Sequence, residues 1–327
     1  MEVTARAQPA SAGPVYSRRQ PEIGTLYRVV RENLRTLYAA AQDGFAGAAL
    51  PPFVRQEFAG YLDCGQLSRG FAHLECEDCH EHLLVAFSCR SRSFCPSCMG
   101  RRMAQTAANL LDHVLPPTPL RQFVLTVPFE LRQRLAYDGK LLSAVGRIFV
   151  DSVLGFYRRR MRAEGITGGQ SGAVTVVQRC NSDLKLNPHW HGLFLDGVFA
   201  RNGDGQPVFH PLPRLSTEEV GDLMQVVRVR ILSHLARCGV IEPGSELTVL
   251  DDDLAEREPA LAQLAAASVA GLPPAGPELH RRPVPLRGHP GVEIAAPLSV
   301  TEMGFSLSFS KEHSPRMLRN APSVAGA

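Results

Sequence analysis

Apolar residues recur at three- and four-residue intervals at Ile23, Leu26, Tyr27, Val30, Leu34, Leu37 and Tyr38. That period places them on one face of a helix spanning Ile23 to Ala41. Arg101 to Leu115 reads as a second helix, stopped by Pro116-Pro117, which lack the amide protons needed to continue it. Residues 60–100 show no regular pattern. Arg121 to Pro128 reads as a strand, with Phe123, Val124, Leu125 and Val127 as its apolar members. Lys140 to Arg162 predicts a long helix, apolar at Leu141, Leu142, Val145, Ile148, Phe149, Val153 and Phe156. Glu218 to Cys238 predicts another amphipathic helix.

Between these helices lie three strands. Ala173 to Gln178 is rich in Val and Thr, His189 to Leu195 follows, and Val198-Phe199 opens the third. Asn181-Ser182-Asp183 is a turn signal, and Asp196-Gly197 between apolar runs is a strong hairpin signal. The three strands read as an antiparallel meander, and the fold class as α+β. Residues 1–22 carry Pro, Ala, Ser and Gly without periodicity and read as a disordered N-terminus. A Cys-rich domain then occupies 23–115, and a helix-and-strand domain 118–240. Residues 241–327 turn acidic and Ala-rich, then Pro/Gly-rich, and read as a linker and tail.

Composition narrows the class. With 327 residues and 44% hydrophobic content the chain can bury two modest cores and is not wholly disordered. No apolar run reaches the ~18 residues that a membrane span needs, and residues 1–20 lack a secretory h-region. A cytoplasmic protein without membrane association is the expectation. The formal charge of +3 does not by itself argue for nucleic acid. Its distribution says more: Arg101 and Arg102 are adjacent, and Arg158, Arg159, Arg160 and Arg162 crowd the last turns of one helix, where cations suit the helix dipole.

Six of the eight cysteines, Cys64, Cys76, Cys79, Cys89, Cys95 and Cys98, fall within 35 residues. Cys76-x2-Cys79 and Cys95-x2-Cys98 are separated by 15 residues, a spacing suited to one structural zinc ion held by four thiolates. Disulfides are disfavoured because no export signal accompanies the cysteines. Redox chemistry is disfavoured because no thioredoxin-like βαβ pattern surrounds either pair. Cys64 and Cys89, with His73, His80 and His82 nearby, leave room for a second zinc or a different ligand set. Cys180 and Cys238 read as small buried residues.

His189-Trp190-His191 carries the sharpest chemistry. Residues i and i+2 of a strand share a face, so the two imidazoles point together and can chelate a divalent metal while leaving positions open for a phosphate oxygen. A bare His-x-His pair is equally an ordinary feature of a strand, and only its surroundings separate the two readings.

Those surroundings resemble a known family. Leu62-Asp-Cys-Gly65, Cys76-Glu-Asp-Cys79, Ala86-Phe-Ser-Cys89, Phe94-Cys-Pro-Ser-Cys98, Arg101-Arg-Met103 and Asp112-His-Val-Leu115 look like the N-terminal zinc-binding domain of rolling-circle insertion-sequence transposases. Gly172 to Arg179, Leu186-Asn-Pro-His-Trp-His191 and Leu195-Asp-Gly-Val-Phe199 resemble the nuclease domain of the same family. The resemblance covers roughly residues 25 to 240. It implies an antiparallel-sheet nuclease in which His189 and His191, the His-hydrophobic-His motif, hold a catalytic Mn2+ or Mg2+. It also implies single-stranded transposon ends as the partner and a zinc domain that binds DNA, for which Arg101, Arg102, Arg158, Arg159 and Arg160 are the candidate contacts. In that chemistry a tyrosine hydroxyl attacks a DNA phosphodiester and forms a phosphotyrosine link, releasing a 3′-hydroxyl.

The chain departs from the family at the nucleophile. The family's tyrosine lies on a helix after the His motif, and here no tyrosine follows Tyr157. Tyr157 and Tyr137 read as ordinary helix aromatics. A third metal ligand would come from the same missing helix, and Gln178 is the candidate in its place. The expectation is a nuclease domain incomplete at its C-terminus, cut near residue 304 and followed by an unrelated tail. A catalytically dead, zinc-dependent DNA-binding fragment is the alternative. A zinc hydrolase at His189 and His191 is weaker, because no His-Glu-x-x-His pattern supplies a general base.

Overall fold

The computed structural model describes residues 20–45, 47–90, 94–181, 185–244, 247–272 and 298–312. The expected N-terminal disorder up to residue 19, the Ser182-Asp183 turn, the Pro/Gly-rich stretch 273–297 and the tail beyond residue 312 lie outside them. The fold is α+β, in two compact units: residues 1–42 and 49–106, and residues 43–48 and 107–327. The division falls at Thr106 rather than at 115–118.

The first unit contains helices α1 (Thr25–Ala39) and α2 (Pro52–Asp63), a hairpin of β1 (Phe71–Glu75) and β2 (His82–Ala86), and the start of α3 (Pro96–Asn109). The backbone at Pro116-Pro117 ends the helical run as expected, with a single wide turn, Leu110–Val114, after α3. The core of this unit is small: among the described residues its main cluster has Tyr27, Tyr61, Cys64 and Cys95 as buried members. Tyr61 stacks on Phe94 at 4.7 Å between ring centroids and on Tyr27 at 6.2 Å. The segment that showed no pattern, residues 60–100, thus contains a hairpin and two helix ends, disguised because apolar residues lie on both faces of the hairpin, four of them exposed (Phe71, Leu74, Leu83 and Leu84).

The second unit is built on a five-stranded sheet. Its strands are β3 (Leu120–Thr126), β4 (Ala173–Cys180), β5 (Leu186–Leu195), β8 (Leu298–Glu302) and β9 (Phe305–Glu312), in the order β4-β5-β3-β9-β8, all antiparallel. Helices α4 (Phe129–Tyr137), α5 (Gly139–Ala163), α6 (Thr217–Arg237), α7 (Leu254–Arg257) and α8 (Pro259–Ala270) complete it, with a separate ribbon of β6 (Gly197–Arg201) and β7 (Pro207–Pro211). Asp138 caps α5 by accepting the amides of Lys140 and Leu141, and Ser216 with Glu219 forms a reciprocal capping box on α6.

The sheet has one dry face. Phe123, Leu125, Trp190, Phe194, Leu307 and Phe309 alternate along three adjacent strands and bury against Val145, Phe149, Val153 and Tyr157 of α5 and against α6. Phe194 meets Phe123 and Phe149 edge-on at 5.5 and 5.8 Å. Trp190 reaches into α5 at Gly146, where an added Cβ would lie 2.8 Å from its indole nitrogen. Gly192 leaves the same kind of space for Phe149 and Phe194.

Two expectations change. The meander stops after its second strand: β4 pairs with β5 as expected, but the third strand, β6, pairs with β7, and the other neighbour of β5 is β3. Asp196-Gly197 is therefore a bend and not a hairpin turn. Asp196 is drawn inward to form a two-pronged ion pair with Arg121 (2.7 and 3.1 Å), both side chains being almost wholly buried. Gly197 packs so closely on His210 and Pro211 that a side chain would collide with their backbone.

The reading of 241–327 as linker and unrelated tail also fails for the described part. Leu254, Ala260 and Ala267 are buried, and β9 pairs from Ser306 to Glu312 with the whole of β3, with Phe305, Leu307 and Phe309 in the core. Its alternation, Phe-Ser-Leu-Ser-Phe, is a strand pattern with period two, the signature of one buried and one polar face. Leu307→Ala should lower the unfolding free energy by about 2–5 kcal/mol in a denaturant titration, the range for a buried leucine. A change under about 0.5 kcal/mol would return the segment to the surface.

Candidate metal centres and the family they identify

Four cysteines meet in the first unit, and they are not the four that spacing suggested. The sulfurs of Cys64, Cys89, Cys95 and Cys98 all lie within 4.8 Å of one another. Cys64 Sγ is 3.6 Å from Cys98 Sγ and 3.7 Å from Cys95 Sγ, and Cys89 Sγ is 3.5 Å from Cys98 Sγ. A tetrahedral ion with Zn–S bonds of about 2.3 Å has edges near 3.8 Å, so this is a zinc-sized cage. The cluster thus takes in Cys95 and Cys98 of the expected set, with Cys64 and Cys89 in the places expected of Cys76 and Cys79. The reason is the hairpin. Its base is closed by Gly65 N–H donating to the Phe87 carbonyl and Phe87 N–H to that of Gly70 (2.9 and 3.0 Å), which brings residue 64 to residue 89. Cys76 and Cys79 occupy the opposite end, in the turn, and are exposed. Burial pushes the Cys64 thiol up, while the amides of Cys79 and Asp78 hold the Cys76 thiol below its ordinary range.

His73 and His82 lie ring against ring on the hairpin at 4.9 Å, and His80 pairs with Glu75 at 3.0 Å, so none of the three joins the cluster. Cys180 is half-buried, whereas Cys238, expected to be buried, is exposed at the end of α6.

The second centre lies on the polar face of the sheet in the other unit. Because Trp190 enters the core, His189 and His191 project the opposite way, with ring centroids 4.9 Å apart. His189 Nδ1 is 2.6 Å from the Asn187 carbonyl oxygen, which can only accept; the ring therefore donates there and leaves Nε2 with its lone pair free. His191 Nδ1 lies 3.1 Å from the Gln122 amide of β3, and its buried Nε2 has no hydrogen-bond partner. A side-chain amide serves either tautomer: its nitrogen donates to a bare Nδ1, and turned over its oxygen accepts from Nδ1–H, freeing Nε2 for a metal. Burial, with the neighbouring His189, lowers the His191 pKa and so favours the neutral ring, the form that ligates.

Antiparallel partners point the same way, so the histidines share their face with Gln178 (opposite His189), Val176 and Val124 (opposite His191), and Thr126 (opposite His189). Ser306 joins them through a 2.9 Å bond to Thr126. Gln178 is thus on the correct face, although its amide nitrogen donates to the Cys180 carbonyl. Among the described residues the only set of three or more His, Cys, Asp or Glu ligands close together is the cysteine cluster, so any further ligand at the pair would be an amide or hydroxyl oxygen. Gln122 was missed in the sequence because nothing local says that β3 runs beside β5.

Tyr157 is fully buried against Phe123 and Phe194, and burial raises its pKa far above the ordinary phenol range. It is a core residue. Tyr137 is half-buried, with its hydroxyl accepting from Arg134 at 3.3 Å. Of the candidate basic contacts, Arg101, Arg158 and Arg159 are exposed, Arg102 donates to the Arg90 carbonyl at 3.3 Å, and Arg160 is held by Glu164 and Glu219.

Comparison with known proteins decides the family. Residues 34–127 match the family described as "Transposase zinc-binding domain", and residues 172–263 match the family described as "Putative transposase". Together they take in more than half of the chain, in the order that the two centres require. The chain belongs to the rolling-circle transposases of the IS91 type. A relative, the transposase for insertion sequence element IS801 of Pseudomonas savastanoi pv. phaseolicola, is 29% identical over 132 residues. That stretch is 40% of this IS91-type chain and 30% of the relative's length, so the chain matches well under half of that protein. No solved structure matches. Among the described residues no helix is long and apolar enough to cross a membrane.

Cys89→Ser should remove the cluster zinc and unfold the small core around Tyr27 and Tyr61, whereas Cys76→Ser should leave that zinc in place. Zinc content together with near-ultraviolet circular dichroism checks both. Equal zinc loss from Cys76→Ser would restore the assignment read from spacing.

Proposed function

We propose that the polar sheet face of the second unit is the metal- and phosphate-positioning part of a DNA strand nicking and joining site, used in transposition. The observation that carries this is the His189–His191 pair on the sheet face opposite Trp190, with His191 Nε2 lacking a hydrogen-bond partner and His191 set by Gln122. Two imidazoles with amide and hydroxyl oxygens around them suit Mn2+ or Mg2+ with open positions. When bound, such an ion polarises a phosphoryl oxygen and orients the strand. The chain's own residues fix the geometry: Asn187 and Gln122 orient the rings, Gln178 flanks His189, and Thr126 with Ser306 offers hydroxyls to a phosphate oxygen. The zinc domain, with Arg101 and Arg102 in the middle of α3, would add contacts to the phosphate backbone.

The attacking tyrosine is not among the described residues of this unit, since Tyr157 is sealed in the core and Tyr137 is tied to Arg134. This favours the second reading for the chain as it stands: DNA engagement without strand cleavage. Incubated with single-stranded DNA and Mn2+, the protein should give no covalent protein–DNA adduct. An adduct lost in Tyr137→Phe would show instead that this tyrosine is the nucleophile.

DNA binding should weaken with salt, as contacts between arginines and phosphates release counterions; the slope of log K on log[salt] is about −0.7 per contact for single strands. Arg158→Ala/Arg159→Ala should flatten that slope, and an unchanged slope would place the contacts elsewhere. In calorimetric titration, Gln122→Leu should weaken Mn2+ binding about 10–100-fold, the usual effect of removing a group that orients a histidine ligand. Gln122→Glu, which keeps an acceptor for Nδ1–H, should hold or tighten it. Equal affinities in all three proteins would remove Gln122 from the site.

A further inference from the structure

The cysteine cluster leaves one CxxC pair unused. Cys76 and Cys79 occupy the turn of the β1–β2 hairpin, and both are exposed. The turn is shaped as a knuckle: the Cys76 amide donates to the Glu81 carbonyl and the His80 amide to the Cys76 carbonyl, each at 3.0 Å, with His80 in the left-handed region at φ 56°. The Cys76 sulfur accepts the amides of Cys79 and Asp78 and lies within hydrogen-bonding reach of the Cys79 thiol. This is half of a tetrahedral thiolate site, two ligands on one rigid turn with backbone N–H groups already directed at sulfur. Among the described residues no third His, Cys, Asp or Glu comes close enough to extend it.

The hairpin that carries the knuckle is also uncovered. Leu74 and Leu83 are cross-strand partners just behind the turn and are 51% and 37% exposed, and Leu84 is 40% exposed. A two-stranded hairpin with bare leucines on both faces is marginal alone and gains from a partner.

We infer that the Cys76–Cys79 knuckle is a second zinc half-site, completed by the same two cysteines of a second copy of this chain, so that the hairpins join tip to tip. A second copy supplies what is missing: two more thiolates of identical geometry and an apolar strand pair that covers Leu74 and Leu83. On binding, each of the four thiols gives up its proton to solvent and a single Zn2+ takes the four sulfurs. This inference is independent of the metal reading at His189 and His191, and neither depends on the other.

Native mass spectrometry of the full chain purified with zinc tests it. The expected species is a dimer with three zinc ions, two in the clusters and one between the hairpins. Cys76→Ser/Cys79→Ser should be a folded monomer with one zinc, because both positions lie outside the core. Leu74→Ser should weaken the dimer without changing the cluster zinc. A wild-type monomer with one zinc would overturn the proposal. So would a monomer with two zinc ions, which would mean that the shell is completed within one chain, or a dimer that survives the double cysteine substitution.

Discussion

The contact between Trp190 and Gly146 decides the orientation of everything around it. A side-chain-free position in α5 admits the indole, and the period of the strand then sends the residues on either side of Trp190 the other way. The dry face of the sheet gains its depth from α5 lying this close. A one-residue slip of β5 would turn both histidines toward the apolar core and take the tryptophan out of it, so hydrophobic packing on one face holds the register of the residues on the other. The buried Arg121–Asp196 pair fixes the far end of the same two strands, β3 and β5.

The two units reach stability by different routes. The second buries an extensive core between sheet and helices. The core cluster of the first has four buried members among the described residues, two of them cysteines, with aromatic rings packed beside them. Structural zinc supplies on the order of 10 kcal/mol in small domains, comparable to the whole stability of a typical domain. In this unit the metal cage takes the place of an apolar centre.

Much of this was legible in the sequence. The long helices were readable because their apolar stripes and caps are local. The shared face of His189 and His191 needed only strand periodicity. Identifying which cysteines meet required tertiary information: spacing favoured Cys76 and Cys79, but a hairpin with five-residue arms carries its turn roughly 15 Å from its base at about 3.3 Å per residue. Gln122 and Ser306 were invisible for a similar reason, since β3 and β9 reach the His strand from 69 and more than 100 residues away in sequence. Phe305-Ser-Leu-Ser-Phe309 shows an alternating pattern, yet the long Pro/Gly-rich stretch before it made it look detached.

The central claim is that the polar sheet face holds a divalent metal at His189 and His191. Anomalous diffraction from crystals of the full chain soaked in Mn2+, recorded near the manganese edge, tests it most directly. A peak bonded to Nε2 of both histidines, beside Gln122 and Gln178, is expected. Manganese bound elsewhere on the chain with the histidine pair empty would contradict it.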